Sequence, residues 1–335
     1  MELPVRVGPL TSSPIVSRSP ANPILTAAQV PYAPALVFNA GVCKYEGRYV
    51  MVFRNDYGNA AAHTLEPHHT TNLGLAFSDD GVAWRVAPKP ILTWNDEEVV
   101  RVYDPRLTVL DGRVYLCFAV DTKHGIRGGI AVTDDFASFE VLSLSLPDNR
   151  NMVLFPERFA GKYVRLERPF TVYGRGGVDR FDLWASDSPD LKYWGNARLV
   201  LGVEDVPFAN DKIGPAAPPI KTPRGWLASF HAVDRDDARG KNGWEASWKK
   251  RYTAGIMLLD IENPHRVIGM SREPLLAPEA PYEKDGFRGD VIFPGGMILE
   301  ESGEVKIYYG AADTVECLAT AHVDDLVASC LAGGR

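Results

Sequence analysis

Long helical patterns are nearly missing from this chain. Almost no stretch of about a dozen residues places apolar side chains at i, i+3, i+4 and i+7, so a helical bundle is excluded and β-structure must carry the core. No apolar run approaches the length of a membrane span. Met1–Leu10 has no basic region followed by an apolar one, so no secretory leader is expected. A basic surplus is also missing. Lys and Arg number 36 against 43 Asp and Glu, a net charge of −7, which excludes general attraction to nucleic acid or to an anionic membrane. Any anion held here needs a local cationic pocket. The cysteines, Cys43, Cys117, Cys317 and Cys330, lack metal-ligand spacing and read as small hydrophobes in a reduced, cytoplasmic protein. There is no Walker or Rossmann phosphate loop; Gly125–Gly129 and Gly174–Gly177 read as hairpin loops. No Gly-x-Ser-x-Gly nucleophile elbow occurs. His63, His68 and His69 lie together in the loop 60–71 without a matching carboxylate motif, so no metal and no organic cofactor is expected.

What is present is turn chemistry and short strands. The 25 prolines and 30 glycines punctuate runs rich in β-branched and aromatic residues, the pattern of an all-β protein. One unit recurs: a strand, a turn with glycine, then a strand rich in aromatics. Its copies are Ala35–Arg54 turning at Glu46-Gly47, Val102–Val120 turning at Asp111-Gly112, and Asn151–Glu167 turning at Ala160-Gly161. Ile213–Val233, turning near Gly225, and Val291–Tyr309, turning at Ser302-Gly303, complete the set. Each is followed by further strand material. Links such as Ser78-Asp79-Asp80-Gly81 and Ser186–Asp190 read as acidic turns. Five copies of a four-stranded unit predict a five-bladed β-propeller with a central substrate funnel. By length, 335 residues would allow two domains, yet no linker-like shift in composition appears. Residues 1–335 therefore read as one propeller domain, its first 28 or so residues (Pro4–Ala28 above all) closing the ring.

The innermost strand of each blade should line the channel. In this chain those strands carry polar or proline-broken positions where a core strand would be apolar. Asn39 and Asp104 each lie eight positions before their turn glycine, so they occupy equivalent places. Pro105 puts Asp104 at an edge, bulge or strand start and predicts an extended backbone there. The flanking Arg101 and Arg106 leave open a plain buried ion pair. Blade three offers Arg150, Asn151 and Glu157; blade four, Asp211 and Lys212; blade five, Arg288 and Asp290. Second strands add Arg54, Arg168 and His231. Arg150, Arg168 and Lys212 can each bind an oxyanion. An acid beside an anion site suits phosphorolysis of a glycoside, because phosphate is already a competent nucleophile. Inverting hydrolysis instead needs a second carboxylate to activate water, with Glu157, Glu167 and Asp290 as candidates. Tyr103, Tyr173, Trp244, Trp248, Tyr252, Tyr282 and Phe287 are candidate sugar-stacking aromatics; the ordinary alternative for each is the core.

These residues resemble the inverting β-mannoside phosphorylases, a glycoside-hydrolase-type family of five-bladed propellers. The resemblance rests on Phe38-Asn39-Ala40-Gly41, Phe53-Arg54-Asn55, Tyr103-Asp104-Pro105-Arg106, Asn149-Arg150-Asn151, Leu154–Glu157, Tyr163–Pro169, Lys212-Ile213-Gly214, Phe230-His231 and Gly289–Gly296. It implies that Asp104 is the proton donor, acting through a hydroxyl of the mannose. It implies that Arg150, Asn151, Arg168, Lys212 and His231 surround phosphate as co-substrate, and that Asn39, Arg54 and Asp290 hold the mannosyl unit, with Tyr103 beside them. The products implied are α-mannose 1-phosphate and a shortened acceptor. Tyr163–Pro169 looks most like members acting on β-1,4-mannooligosaccharides. Ala40-Gly41 departs from relatives that carry a hydroxyl after the Asn. Two rivals stay open: a β-mannoside hydrolase on the same fold, and a non-catalytic carbohydrate-binding propeller. The loops 55–72 and 233–251 would meet the acceptor; the second, with Arg235, Asp236, Asp237, Arg239, Lys241, Trp244 and Trp248, reads as a lid, a contact in a homo-oligomer, or a solvated charged loop.

Overall fold

Five antiparallel sheets follow one another along the chain, and each is a blade. The computed structural model describes residues 7–66, 70–171, 181–240, 243–245 and 247–333. Blade one runs outward through Leu36–Tyr45, Arg48–Asp56, Thr71–Ser78 and Arg85–Val86. Blade two has Val99–Leu110, Arg113–Thr122, Gly125–Thr133 and Glu140–Leu144. Blade three has Asn149–Leu154, Tyr163–Pro169, Leu183–Ser188 and Gly195–Leu201. Blade four has Lys212–Pro215, Gly225–Arg235, Lys250–Leu259 and Val267–Met270, with Ile220–Thr222 also paired to its second strand. Blade five has Ile292–Leu299, Glu304–Ala311 and Val315–His322, and its outer strand, Ser17–Arg18, comes from the N-terminal segment. Ser17 pairs with Thr320 and Arg18 with Ala319, so the ring closes between the two ends of the chain. In blades one to three the first hairpin turns on two residues of positive φ: Glu46-Gly47, Asp111-Gly112 and Ala160-Gly161. That geometry matches the twist of the flanking strands.

The apolar side chains sort into clusters between successive blades. Val50, Leu73, Val102 and Leu116 pack between blades one and two. Cys117, Ile130, Met152 and Leu154 fill the next gap; Leu166, Phe155, Trp226 and Phe230 the third. Leu227, Ile256, Ile292 and Ile307 lie between blades four and five, and Met51, Val42, Tyr308 and Leu318 between five and one. The inner strands thus send apolar side chains into the gaps on either side, and their polar positions are the exceptions to that packing.

Three local expectations are corrected. Val99–Leu110 is one strand with a bulge, and Asp104 has φ 52° instead of an extended backbone. Blade four's inner strand breaks after Pro215, where Pro215, Pro218 and Pro219 cannot donate to the ladder. A helix, Val323–Ala332, ends the chain; His322 Nδ1 accepts the Asp324 N–H and Leu326, Val327 and Cys330 are buried. Its ten residues are too few for the helical period to stand out. The acidic links are turns as expected: Asp80 Oδ1 accepts the N–H groups of Val82 and Ala83, and Asp190 Oδ1 those of Lys192 and Tyr193.

Candidate active site

The site begins as a repeated backbone defect. In blade one the register passes from Phe38–Arg54 to Gly41–Val52, in blade two from Tyr103–Ala119 to Arg106–Cys117, and in blade three from Arg150–Arg168 to Val153–Leu166. Each inner strand therefore carries one extra residue. Asn39, Asp104 and Asn151 sit in these bulges with φ of 53°, 52° and 55°. Asn and Asp tolerate the left-handed region best among residues with a side chain, and bulges re-aim side chains. All three line one cavity of about 190 Å³. Its walls also include Arg54, Arg101, Tyr103, Arg150, Arg168, Trp248, Tyr252, Phe287, Arg288, Val291, Phe293 and Asp313.

Asp104 does not pair with either neighbouring arginine. Its Oδ1 accepts from Asn39 Nδ2 (3.0 Å) and Arg54 Nη1 (3.2 Å). Arg54 is itself held by Asp56 through Nε (2.6 Å) and Nη2 (2.7 Å). Arg101 donates to Asp121 Oδ2 (2.5 Å), and Arg106 donates to the carbonyls of Ala216 and Pro105. Burial pushes the Asp104 carboxyl up, but Arg54, Arg106, the Asn39 amide and Arg150 outweigh it and hold it below the ordinary aspartate value. Asp104 is therefore charged in the ligand-free site at neutral pH.

The same cavity wall carries a cluster of cations, with Arg168 buried and Arg150 half-buried. Among the described residues neither Arg150 nor Arg168 pairs with a carboxylate. Arg150 Nη1 donates to the Tyr103 hydroxyl (3.3 Å), which donates to Asp121 (2.6 Å). Arg168 Nη1 donates to His231 Nε2 (3.1 Å). Arg150 Nε, Arg168 Nε and Nη2, and Asn151 Oδ1 are buried without partners. Buried, unpaired charge is costly. Burial and the neighbouring Arg150 accordingly act against the charged form of Arg168. Lys212 and His231 are not on the cavity wall; they lie against Arg168. Burial, Arg168 and Lys250 drive Lys212 well below the ordinary lysine value, with Asp211 opposing. Burial, Arg168 and Lys212 keep His231 neutral. An oxyanion would satisfy these donors at once.

The structure does not bring every candidate to the cavity. Asp290 is off the wall, where Val291 stands; the Asp290 carbonyl accepts the Tyr252 N–H. Glu157 forms a surface ion pair with Lys221. Glu167 is buried against Arg165 (2.7 Å). Trp248, Tyr252, Phe287 and Tyr103 do line the cavity, whereas Trp244 stacks on His63 and Tyr282 receives a hydrogen bond from Asn22. Tyr173, His68, His69, Lys241 and Gly174–Gly177 lie outside the described residues. Asp313 was missed. It sits in the turn after Glu304–Ala311 with φ 50° and lies 3.4 Å from Arg288. Burial, with Asp104 and Asp56 nearby, pushes its carboxyl up to about 6 against the pull of Arg288 and Arg54. In sequence, Ala312-Asp313-Thr314 looks like any acidic turn. A larger groove of about 740 Å³ runs along the rim between blades three and four, lined by Arg198, Leu201, Met270 and Arg272. None of its guanidinium nitrogens is both buried and unpartnered.

Comparison with known proteins supplies the family. Residues 11–331 match the model of glycoside hydrolase family 130, described as beta-1,4-mannooligosaccharide phosphorylase. The chain is 33% identical over 339 residues to a beta-1,4-mannooligosaccharide phosphorylase of Ruminococcus albus, covering 97% of this chain and 93% of that one. It is 29% identical over 309 residues to a 1,2-beta-oligomannan phosphorylase of Thermoanaerobacter, covering 90% and 95%. The solved beta-1,2-mannobiose phosphorylase of Listeria innocua, in complex with beta-1,2-mannobiose, superposes with a TM-score of 0.80 at 26% identity, over 94% and 99% of the two chains. A propeller that brings Asp104, Asp313 and guanidiniums without a carboxylate partner among the described residues to one cavity, matched from end to end by these enzymes, belongs to glycoside hydrolase family 130 and is a mannoside phosphorylase.

Proposed function

We propose that this enzyme carries out inverting phosphorolysis of β-1,4-mannosides, giving α-D-mannose 1-phosphate and a shortened acceptor. The observation that carries the reading is the pair of guanidiniums, half-buried Arg150 and buried Arg168, that share the cavity wall with Asp104 and have no carboxylate partner among the described residues. Phosphate would bind between them and Asn151, with Lys212 and His231 behind. Asn39, Arg54 and Asp313 would hold the mannosyl hydroxyls, and Trp248 and Tyr252 offer flat faces to the sugars.

The charge balance then runs in one cycle. Phosphate brings negative charge beside Arg150 and Arg168, which offsets the pull of Arg150 on Asp104 and raises its pKa. Asp104 gives its proton, through a mannosyl hydroxyl, to the glycosidic oxygen. A phosphate oxygen forms its bond to C1 from the opposite face as the C1–oxygen bond breaks. The proton that phosphate sheds on forming the ester restores Asp104, so the atoms balance without water. Hydrolysis would need a second carboxylate facing the water. Glu157 and Glu167 are both committed to ion pairs away from the cavity; Asp313 does line it but faces Arg288 (3.4 Å), so the support for phosphorolysis comes from the guanidiniums that have no carboxylate partner among the described residues. For the linkage, the family description and the relative from Ruminococcus albus favour 1,4. The relatives that act on 1,2-linked mannan leave that choice to experiment. Four buried free thiols fit a cytoplasmic enzyme.

The test is product analysis on β-1,4-mannobiose with and without inorganic phosphate. Mannose 1-phosphate should form only with phosphate; free mannose released at the same rate without it would overturn the reading. Asp104→Asn keeps the shape and the acceptor oxygen but removes the proton. Turnover should fall by about 10³-fold with folding intact; unchanged turnover would rule out Asp104 as the acid, and sugar binding without any turnover in the wild type would leave only a carbohydrate-binding propeller. Running the reaction backwards from α-mannose 1-phosphate with a panel of acceptors, scored by released phosphate, identifies the acceptor and linkage.

A further inference from the structure

A buried carboxylate on another blade holds the strand that aims Asn39. The bulge at Asn39-Ala40 faces Phe53 alone, because the ladder passes from Phe38–Arg54 straight to Gly41–Val52. A bulge leaves backbone donors without a ladder partner, and a buried N–H cannot be left unpaired cheaply. In blade one the donor is the Ala40 N–H. In blade two the equivalent residue is Pro105, which has no N–H at all. The same problem is therefore met in two ways: blade two removes the donor, and blade one imports an acceptor. That acceptor is Glu316, on the third strand of blade five, whose Oε2 takes the Ala40 N–H at 3.1 Å.

Glu316 is fully buried, and its other oxygen has no partner. The charged group facing it is Arg106, whose Nη1 lies 3.5 Å from the Asn39 carbonyl and whose Nη2 is unpartnered. Cys317 is its neighbour along the strand and is buried. Blade five closes the cage. A β-carbon at Gly310 would overlap Asn39 Oδ1, and one at Gly295 would overlap the Ala40 carbonyl. With the backbone so held, the Asn39 amide reaches Asp104 Oδ1 at 3.0 Å.

We propose that Glu316 is a positioning residue for catalysis: by accepting the Ala40 N–H it fixes the left-handed bulge of blade one, and so directs Asn39 onto the catalytic acid. It acts through shape and acceptor capacity, not through charge. Burial pushes its carboxyl up to about 8 against the pull of Arg106, which favours the neutral form, and glutamine keeps the same reach and an acceptor oxygen. The proposal rests on Asp104 being the acid, which Asp104→Asn tests separately.

The experiment compares Glu316→Gln, Glu316→Asp and Glu316→Leu, each checked for folding by circular dichroism. The Gln variant keeps an acceptor at the same reach and should hold kcat within about threefold of wild type. Asp keeps the acid but falls one methylene short, and Leu has no acceptor; both should lose roughly 10–100-fold in kcat. Their KM for phosphate should change less than about threefold, since the phosphate cations belong to blades three and four. Loss of the Asn39 hydrogen bond should also move the Asp104 limb of the pH–rate profile upward, because that bond holds the carboxyl down. If Leu fails to fold, the order of Gln and Asp decides. Asp retaining activity while Gln loses it would make Glu316 a charge and overturn the proposal. So would kcat and pH profile unchanged in Asp or Leu.

Discussion

At Arg168 the demands of folding and of function oppose one another. Arg168 is about 2% exposed, its guanidinium feels the charge of Arg150, and its hydrogen-bond partner among the described residues is the neutral His231. Its guanidinium carbon lies 5.9 and 5.4 Å from the ring centres of Phe170 and Phe181, an environment that also suits a thioether. Arg168→Met removes a buried charge that the ligand-free protein cannot pair. The melting temperature without phosphate should therefore rise by roughly 2–5 °C, while the KM for phosphate rises at least about tenfold. Saturating phosphate should stabilise wild type through linked binding, by about 2.7 kcal/mol at one hundred times Kd, and stabilise the variant far less. Thermal shift with and without phosphate reads both effects. A lower melting temperature with an unchanged KM would make Arg168 a structural cation. The residue types at this site were legible in sequence, where a lone acid and unmatched Arg and Lys stood on strands that should be apolar. Their partners were not. Arg101 and Arg106 flank Asp104 in sequence, yet Arg54 holds it, because the bulge between Tyr103 and Arg106 re-aims Asp104 while Arg101 pairs with Asp121 and Arg106 donates to backbone carbonyls.

The bulged inner strand is the element that turns a propeller blade into a site. Asn39, Asp104 and Asn151 take the same left-handed backbone on three blades, so the requirement lies in the backbone before the chemistry. Asn151 separates the two. Asn151→Gly keeps the left-handed conformation but removes the amide; stability should stay within about 0.5 kcal/mol of wild type while phosphate affinity drops. Asn151→Val loses the amide and also forces a β-branched residue to positive φ, which costs about 1–3 kcal/mol. Urea unfolding beside phosphate KM distinguishes them; equal stabilities would mean that the bulge carries no strain. The equivalence of Asn39 and Asp104 could be counted from the turn glycine. Asn151 lies ten positions before Gly161, since the hairpin of blade three is longer, and counting alone does not align it. Asp290 looked equally suitable in sequence, but it precedes blade five's inner strand, and the turn residue Asp313 reaches the cavity in its place.

Closure is a property of the whole ring. The last blade would end on three strands without Ser17–Arg18. Two ladder pairs are little by themselves, but Arg18 adds a side-chain clasp. Its Nε lies 2.7 Å from Oε1 of the fully buried Glu283, and its Nη1 2.9 Å from Glu279. Glu283 also accepts from the Tyr309 hydroxyl in the core of blade five. Arg18→Ala would strand that carboxylate, and unfolding free energy should fall by about 2 kcal/mol, less than for a fully buried pair because Arg18 is partly exposed. Glu283→Gln in the same background should recover part of the loss. Denaturant melts of the single and double variants check this, and no recovery would show that Glu283 is not what Arg18 serves. Strand content, the fivefold repeat and the residue types of the site follow from the order of residues along the chain, because turn signals and strand propensity are local. Which carboxylate meets which cation follows only from the closed ring. Closure brings Asn39, Asp104, Asn151 and Asp313 from four blades to one cavity, and it places Glu316, 276 residues away, on the backbone of Ala40. Pairing across such separations depends on the sheets' registers and on the space between blades, and neither is written in any local stretch.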